Sequence, residues 1–206
     1  QRRLTLMGAL SHAIRKAELE IYAQPQVSCA DGALAGAEIL LRWHSQRLGD
    51  VPTQEFIEIA ENAGMMKHIT RYVLSRSMLF LKQLHERDIR VTVSVNLSVN
   101  NLIEPDFVKY VVDSARALNV DLHYLVLEVT ETSASENIDQ VIDNLNLLAK
   151  AGCSIALDDF GTGYSSLSYL SRLPIHELKI DRSFISSMTD SESDLRIVEN
   201  TVALAR

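Results

Sequence analysis

Residues 91–98, VTVSVNLS, alternate strictly: Val91, Val93, Val95 and Leu97 on one side, Thr92, Ser94, Asn96 and Ser98 on the other. A period of two predicts a strand; in a barrel wrapped by helices the apolar row faces the helices and the small polar row faces inward. Asn96 is thereby expected at the mouth. Residues 37–43, AEILLRW, predict a strand with Glu38, Leu40 and Arg42 on one face. Residues 18–27, ELEIYAQPQV, predict another, interrupted by Pro25 and followed by an Asp31-Gly32 turn. The runs 124–131 (YLVLEVTE), Cys153 into Asp158 and Asp159, and 176–184 (HELKIDRSF) bring the total to about six strands.

Between these runs the period becomes helical. Leu4, Met7, Leu10, Ile14 and Ala17 mark a first helix; Phe56, Ile57, Ala60 and Ala63 mark another over 53–63, which Gly64 is placed to end. Tyr72, Val73, Leu79, Phe80 and Leu84 predict a helix over 69–84. Pro105 suits the first turn of a helix whose buried stripe is Phe107, Val108, Val111 and Ala115. Ser133-Ala-Ser-Glu136 matches a capping box opening a helix with Val141, Ile142, Leu145 and Leu148 on one face. A short helix over 165–173 and a last one carrying Ile197, Val198, Thr201, Val202 and Ala205 follow. Strands separated by one or two helices predict a parallel sheet with crossover connections. About six strands, against the eight of a closed (β/α)₈ barrel, leave an open sheet or a barrel short by two strands.

The 206 residues, 47% of them hydrophobic, can bury one large core. A net charge of −7 argues against capture of a nucleic-acid polymer or an anionic membrane, which basic surfaces perform. Cys29 and Cys153 are far apart, so a reducing, cytoplasmic compartment is expected, with a single disulfide between them left open. No apolar run approaches the roughly 20 residues of a membrane span, and the start lacks a signal peptide's apolar stretch. The chain does not begin with Met, which suggests a piece of a longer polypeptide.

Polar groups recur where the predicted strands end. Glu38, Asn96, Glu128, Asp158 with Asp159, and Lys179 with Asp181 fall near the ends of five successive strands, and in α/β folds ligands bind at the carboxyl ends of strands. Carboxylates and an amide oxygen are hard donors suited to Mg²⁺ or Mn²⁺, and two such ions can clamp the attacking and leaving oxygens of a phosphate ester. Each residue also has an ordinary reading. Glu38 could form a buried pair with Arg42, Lys179 an ion pair with Asp181, and one aspartate a turn cap before Gly161-Thr-Gly163. On a regular strand Asp158 and Asp159 point to opposite sides, so both reach one site only if the chain bends there. The six histidines show no metal-ligand spacing, and neither a P-loop nor a G-x-G-x-x-G pattern is present.

Taken in order, Glu38-Ile-Leu-Leu-Arg42-Trp43, Val95-Asn96-Leu97-Ser98, Glu128-Val-Thr-Glu131, Asp158-Asp-Phe-Gly-Thr-Gly-Tyr-Ser-Ser166 and Lys179-Ile-Asp181 resemble the EAL domain family of cyclic di-GMP phosphodiesterases. The likeness includes Gln24-Pro25 and runs nearly the whole chain. It implies a TIM-like (β/α)₈ barrel that hydrolyses cyclic di-GMP to linear pGpG with Mg²⁺ or Mn²⁺. By this resemblance Glu38, Asn96, Glu128 and Asp158 are metal ligands and Asp159 serves the second metal. Lys179 orients the catalytic water, with Glu38 and Asp158 the other catalytic groups; Gln24 and Arg42 contact the dinucleotide. Glu131 steadies the Asp158-Asp-Phe-Gly loop, which is also tied to homodimerisation. Ile39 departs from the small residue usual after the motif glutamate, with little effect expected from a side chain facing away from the mouth. The family's last two strands, with a further metal-site glutamate and a later glutamine, are not found before Arg206, so the chain is expected to carry an incomplete site. Fusion to sensor or GGDEF domains is expected outside the chain, as is any membrane anchor. A receptor that binds the nucleotide without turnover, or a regulatory protein-interaction module, is the alternative.

Overall fold

The computed structural model describes residues 2–16, 18–130, 137–162 and 170–205. The helix α1 (Arg2–Lys16) leads into β1 (Leu19–Val27), β2 (Leu34–Ser45) and the short β3 (Gly49–Val51). Helices α2 (Thr53–Asn62) and α3 (Met66–His85) precede β4 (Thr92–Asn96), and α4 (Val99–Leu102) and α5 (Phe107–Leu118) precede β5 (Leu125–Thr130). After α6 (Ile138–Lys150) come β6 (Ser154–Phe160), β7 (Glu177–Ile180), α7 (Arg182–Ser187) and α8 (Glu192–Leu204). The strands form one sheet in the order β1-β2-β4-β5-β6-β7, with β3 paired to β2. From β2 to β7 the neighbours on this path are parallel, as crossover helices require. Among the described residues no pairing joins β7 to β1. The fold is α/β, a barrel-type sheet that hydrogen bonds do not close.

The first strand pair departs from the expected pattern. No helix separates β1 from β2, which pair antiparallel through the turn at Asp31-Gly32, a connection too short for a parallel crossover. The strand expected over 176–184 is also shorter: Asp181 accepts a hydrogen bond from the Ser183 N–H at 2.8 Å and starts α7. Pro105 lies before α5 rather than in its first turn. In α1 the buried residues are Leu6, Leu10 and Ala13, while Leu4 and Met7 of the expected stripe are exposed. The capping box at Ser133–Glu136 and most of the helix expected over 165–173 lie outside the described residues. Cys29 and Cys153 are free thiols, the first exposed and the second buried.

The core lies between the outer rows of the strands and the helices. Ile39, Leu41 and Trp43 of β2, Val93 and Val95 of β4, Leu125 and Leu127 of β5, and Ile155 and Leu157 of β6 are all buried in it. Trp43 stands edge-on to Phe56, centroids 5.6 Å apart, and its indole N–H donates to Glu18 at 3.1 Å. The strict alternation of β4 is realised: Val93 and Val95 are fully buried, while Asn96, on the other row, is exposed. The same alternation sends Glu38, Arg42, Glu128, Asp158 and Lys179 to the inner row.

Candidate active site

Four parallel strands bring one cluster together. Lys179 Nζ of β7 lies 2.7 Å from Glu128 Oε2 of β5, 3.1 Å from Glu38 Oε2 of β2 and 3.4 Å from Asp158 Oδ1 of β6. From β4, Asn96 Nδ2 donates to Glu38 Oε1 at 2.9 Å. Glu38 therefore pairs with Lys179 and Asn96, and the Glu38–Arg42 pair is not formed. Arg42 instead donates to the Leu41 carbonyl at 2.9 Å and to Thr53 Oγ1 at 3.4 Å. The Lys179–Asp181 pair is likewise absent from the ion pairs among the described residues, since Asp181 serves as the α7 cap.

The cluster holds three carboxylates against one ammonium, and its titration follows from that imbalance. Glu128 is 1% exposed, and among the described residues its Oε1 has no hydrogen-bond partner. Burial pushes its carboxyl up to about 7 even though Lys179 donates to it, and the charges of Glu38 and Asp158 push the same way. Burial alone would lower the Lys179 pKa, but the hydrogen bond to Glu128 and the three carboxylate charges hold it above its ordinary value. Among the described residues no three His, Cys, Asp or Glu side chains form a ready metal cluster; the acids gather around the ammonium.

The bend required at the double aspartate is present. Asp159 takes a left-handed backbone, φ 54°, and the β6–β7 register shifts between Leu157 and Phe160. Asp158 thus reaches Lys179 while Asp159 turns towards Asp181. Burial, then the charges of Asp158 and Asp181, raises the Asp159 carboxyl, whereas hydrogen bonds from Ser183 lower that of Asp181. Gln24 is exposed on β1 directly opposite Glu38. Glu131 lies outside the described residues. A cleft of about 640 Å³ adjoins the cluster, lined by Arg42, Thr53, Glu61, Asn96 and Ser98 among others.

An EAL domain profile matches residues 7–206. The chain belongs to the EAL domain family. The EAL domain described here is 38% identical over 204 residues to the Pseudomonas aeruginosa "Cyclic di-GMP phosphodiesterase NbdA", covering 98% of this chain and 26% of that protein. It is 34% identical over 205 residues to the Escherichia coli "Oxygen sensor protein DosP", covering 99% of this chain and 26% of that one. The chain thus spans about a quarter of these curated relatives. Among solved structures it matches "PaMucR Phosphodiesterase, c-di-GMP complex" with TM-score 0.92 and 35% identity over 98% of this chain and 82% of that one. "Structure of EAL Enzyme Bd1971 - cAMP and cyclic-di-GMP bound form" matches with TM-score 0.91 and 30% identity over 99% and 56% of the two chains.

Three residues of this EAL domain's mouth escaped sequence reasoning. Thr53 anchors Arg42, and Tyr22 and His44 share a hydrogen bond on the hairpin. The signal for the last two was the period of two: His44 follows Arg42, and Tyr22 precedes Gln24, on the same strand faces.

Proposed function

We propose that this EAL domain hydrolyses one phosphodiester of cyclic di-GMP to linear pGpG, with Mg²⁺ or Mn²⁺ as cofactor. The observation that carries the proposal is the convergence of Glu38, Glu128 and Asp158 on Lys179, beside Asn96, at the carboxyl ends of adjacent parallel strands. Relatives named for this activity, and a neighbour solved with the dinucleotide, support the substrate.

The donor set fits a divalent cation. The acids outnumber the ammonium, all the donors are hard oxygens, and buried Glu128 Oε1 has no partner among the described residues. Glu38, Asn96, Glu128 and Asp158 would hold the ion, with Asp159 at a second position, and bound metal would polarise the phosphate and acidify a water. Lys179 stays protonated among its carboxylates, so it cannot take a proton from that water. Its ammonium instead orients the water and stabilises charge gathering on the phosphate oxygens as the bond to the ribose oxygen breaks. Glu38 and Asp158, with side chains 20% and 21% exposed beside the ammonium, would accept the released proton and pass it on to the departing ribose oxygen. Gln24 and Arg42 would hold the dinucleotide from the hairpin; the loop-steadying role of Glu131, which lies outside the described residues, is carried by the family resemblance alone.

Two assembly statements belong to the same proposal: a homodimer, and linkage to sensor or GGDEF domains in a cytoplasmic protein. Relatives named as an oxygen sensor and a bifunctional diguanylate cyclase/phosphodiesterase support the second. No helix of the described residues is long and apolar enough to cross a membrane. The test is incubation of the natural full-length polypeptide with cyclic di-GMP and Mg²⁺ or Mn²⁺, followed by chromatography for pGpG. Metal-dependent product that disappears in Glu38→Ala, with the fold retained, is expected. Intact nucleotide, still bound, would replace the enzyme with a receptor.

A further inference from the structure

On the mouth face of the hairpin, next to Arg42, stand three linked side chains. His44 Nδ1 lies 2.6 Å from Asp50 Oδ1, and its Nε2 lies 3.3 Å from the Tyr22 hydroxyl. A carboxylate only accepts, so Nδ1 carries the hydrogen and Nε2 is left to face the phenol. The Tyr22 ring is 49% exposed, and the Arg42 guanidinium stands 5.9 Å from its centroid. Strand register places it: Tyr22 pairs with Leu40, and Gln24 pairs with Glu38. Tyr22 is therefore two residues, about 7 Å, nearer the rim than Glu38. That is too far to touch a phosphorus held by the acids. It suits a group separated from the phosphate by a ribose.

Fixing a half-exposed ring through a two-residue brace costs rotamer freedom that only partial burial offsets. The arrangement serves a ligand that stacks, because the ring is ordered before the ligand arrives. We propose that Tyr22, braced by His44 and Asp50, is a binding platform on which one purine base of the dinucleotide stacks. This rests on the cyclic di-GMP reading of the site. Every base has a π-face, and loss of an aromatic platform lowers affinity by roughly tenfold or more.

The test measures steady-state kinetics of the natural full-length polypeptide and its Tyr22→Ala, Tyr22→Phe and His44→Ala variants on cyclic di-GMP. Competitive inhibition by GMP and by inorganic phosphate is read alongside. In Tyr22→Ala, KM for cyclic di-GMP and the inhibition constant for GMP should each rise about tenfold. Its kcat and the inhibition constant for phosphate should stay within about twofold. Tyr22→Phe keeps the ring and should lose little, and His44→Ala, which frees the ring, should fall between. An unchanged KM in Tyr22→Ala, or phosphate weakened as much as GMP, would overturn the platform. If the wild type shows no turnover, the catalytic proposal fails, and calorimetric affinities for cyclic di-GMP, GMP and phosphate give the same comparison. If the wild type binds neither nucleotide, both proposals fall.

Discussion

Replacing Glu128 by glutamine tests the electrostatics of the cluster without removing its shape. In the wild type the folded carboxyl titrates at about 7 against an ordinary 4.5. A carboxyl with a raised folded pKa contributes stability that is fully present below the unfolded value and is lost as pH rises through the folded one. The window here runs from about pH 4.5 to pH 7. At about 1.4 kcal/mol per pKa unit, the wild type should lose roughly 3 kcal/mol relative to Glu128→Gln across that window. The amide does not titrate, and its oxygen can still accept from Lys179, which also keeps Glu38 and Asp158. Its NH₂ group would take the position of the partnerless Oε1, costing about 1–3 kcal/mol at every pH. The informative quantity is thus the change in the stability difference between pH 5 and pH 8, not its sign at either. For a chain of this size, 3 kcal/mol corresponds to about 6–12 °C in Tm. Thermal melts of both proteins in EDTA at the two pH values measure it. A difference that stays constant, or moves in favour of the wild type as pH rises, would refute the reasoning.

Three further outcomes are expected. Trp43→Ala removes a fully packed indole and its hydrogen bond to Glu18; it should cost about 3–5 kcal/mol by urea unfolding, and a loss below about 1 kcal/mol would mean the contact with Phe56 carries little. Gly161 has φ +100°, and a Cβ there would lie 2.8 Å from Phe184 Cε2, so Gly161→Ala should destabilise by roughly 1–3 kcal/mol, checked by the denaturation midpoint. Cys29 should react with Ellman's reagent at once. Cys153, buried and with its thiol pushed up to about 12, should react only on unfolding, and two equally fast phases would contradict its burial.

Much of the sheet could be read from the chain because a strand's period of two is local: Val93, Val95 and Asn96 sort correctly without knowledge of any neighbour. Partners could not be read in the same way. Glu38 was most simply paired with Arg42, four residues away on its own strand; its real cation, Lys179, lies 141 residues along the chain. The phase of α1 failed for a related reason. Two apolar stripes interleave there, and Leu6 at 2% exposure against Leu4 at 71% shows which one the protein buries. Helical period fixes the spacing of a stripe, but the facing helices choose between stripes. The left-handed backbone at Asp159, which turns it towards Asp181 while Asp158 reaches Lys179, had no local signal in the sequence. The end of β7 had a signal that was passed over, the aspartate two residues before Ser183, which is the spacing of a helix cap.

The reversed first strand changes what lies upstream of the site. Had β1 run parallel to β2, the preceding helix would deliver the chain to the far end of the barrel. Running antiparallel, β1 begins at the mouth, and α1 hands over to it there through Glu18, whose N–H donates to the Ala13 carbonyl and whose side chain holds Trp43. From Leu19 to Gln24 is five residues, about 17 Å of extended chain. The other end of α1 is tied to α2 by Arg2 and Glu55, 2.6 Å apart. The junction of α1 with β1 therefore lies at the rim that carries Tyr22 and Arg42 rather than at the barrel floor. The first helix and the hairpin thus meet at the mouth end of the sheet, on the side where Lys179 gathers its carboxylates.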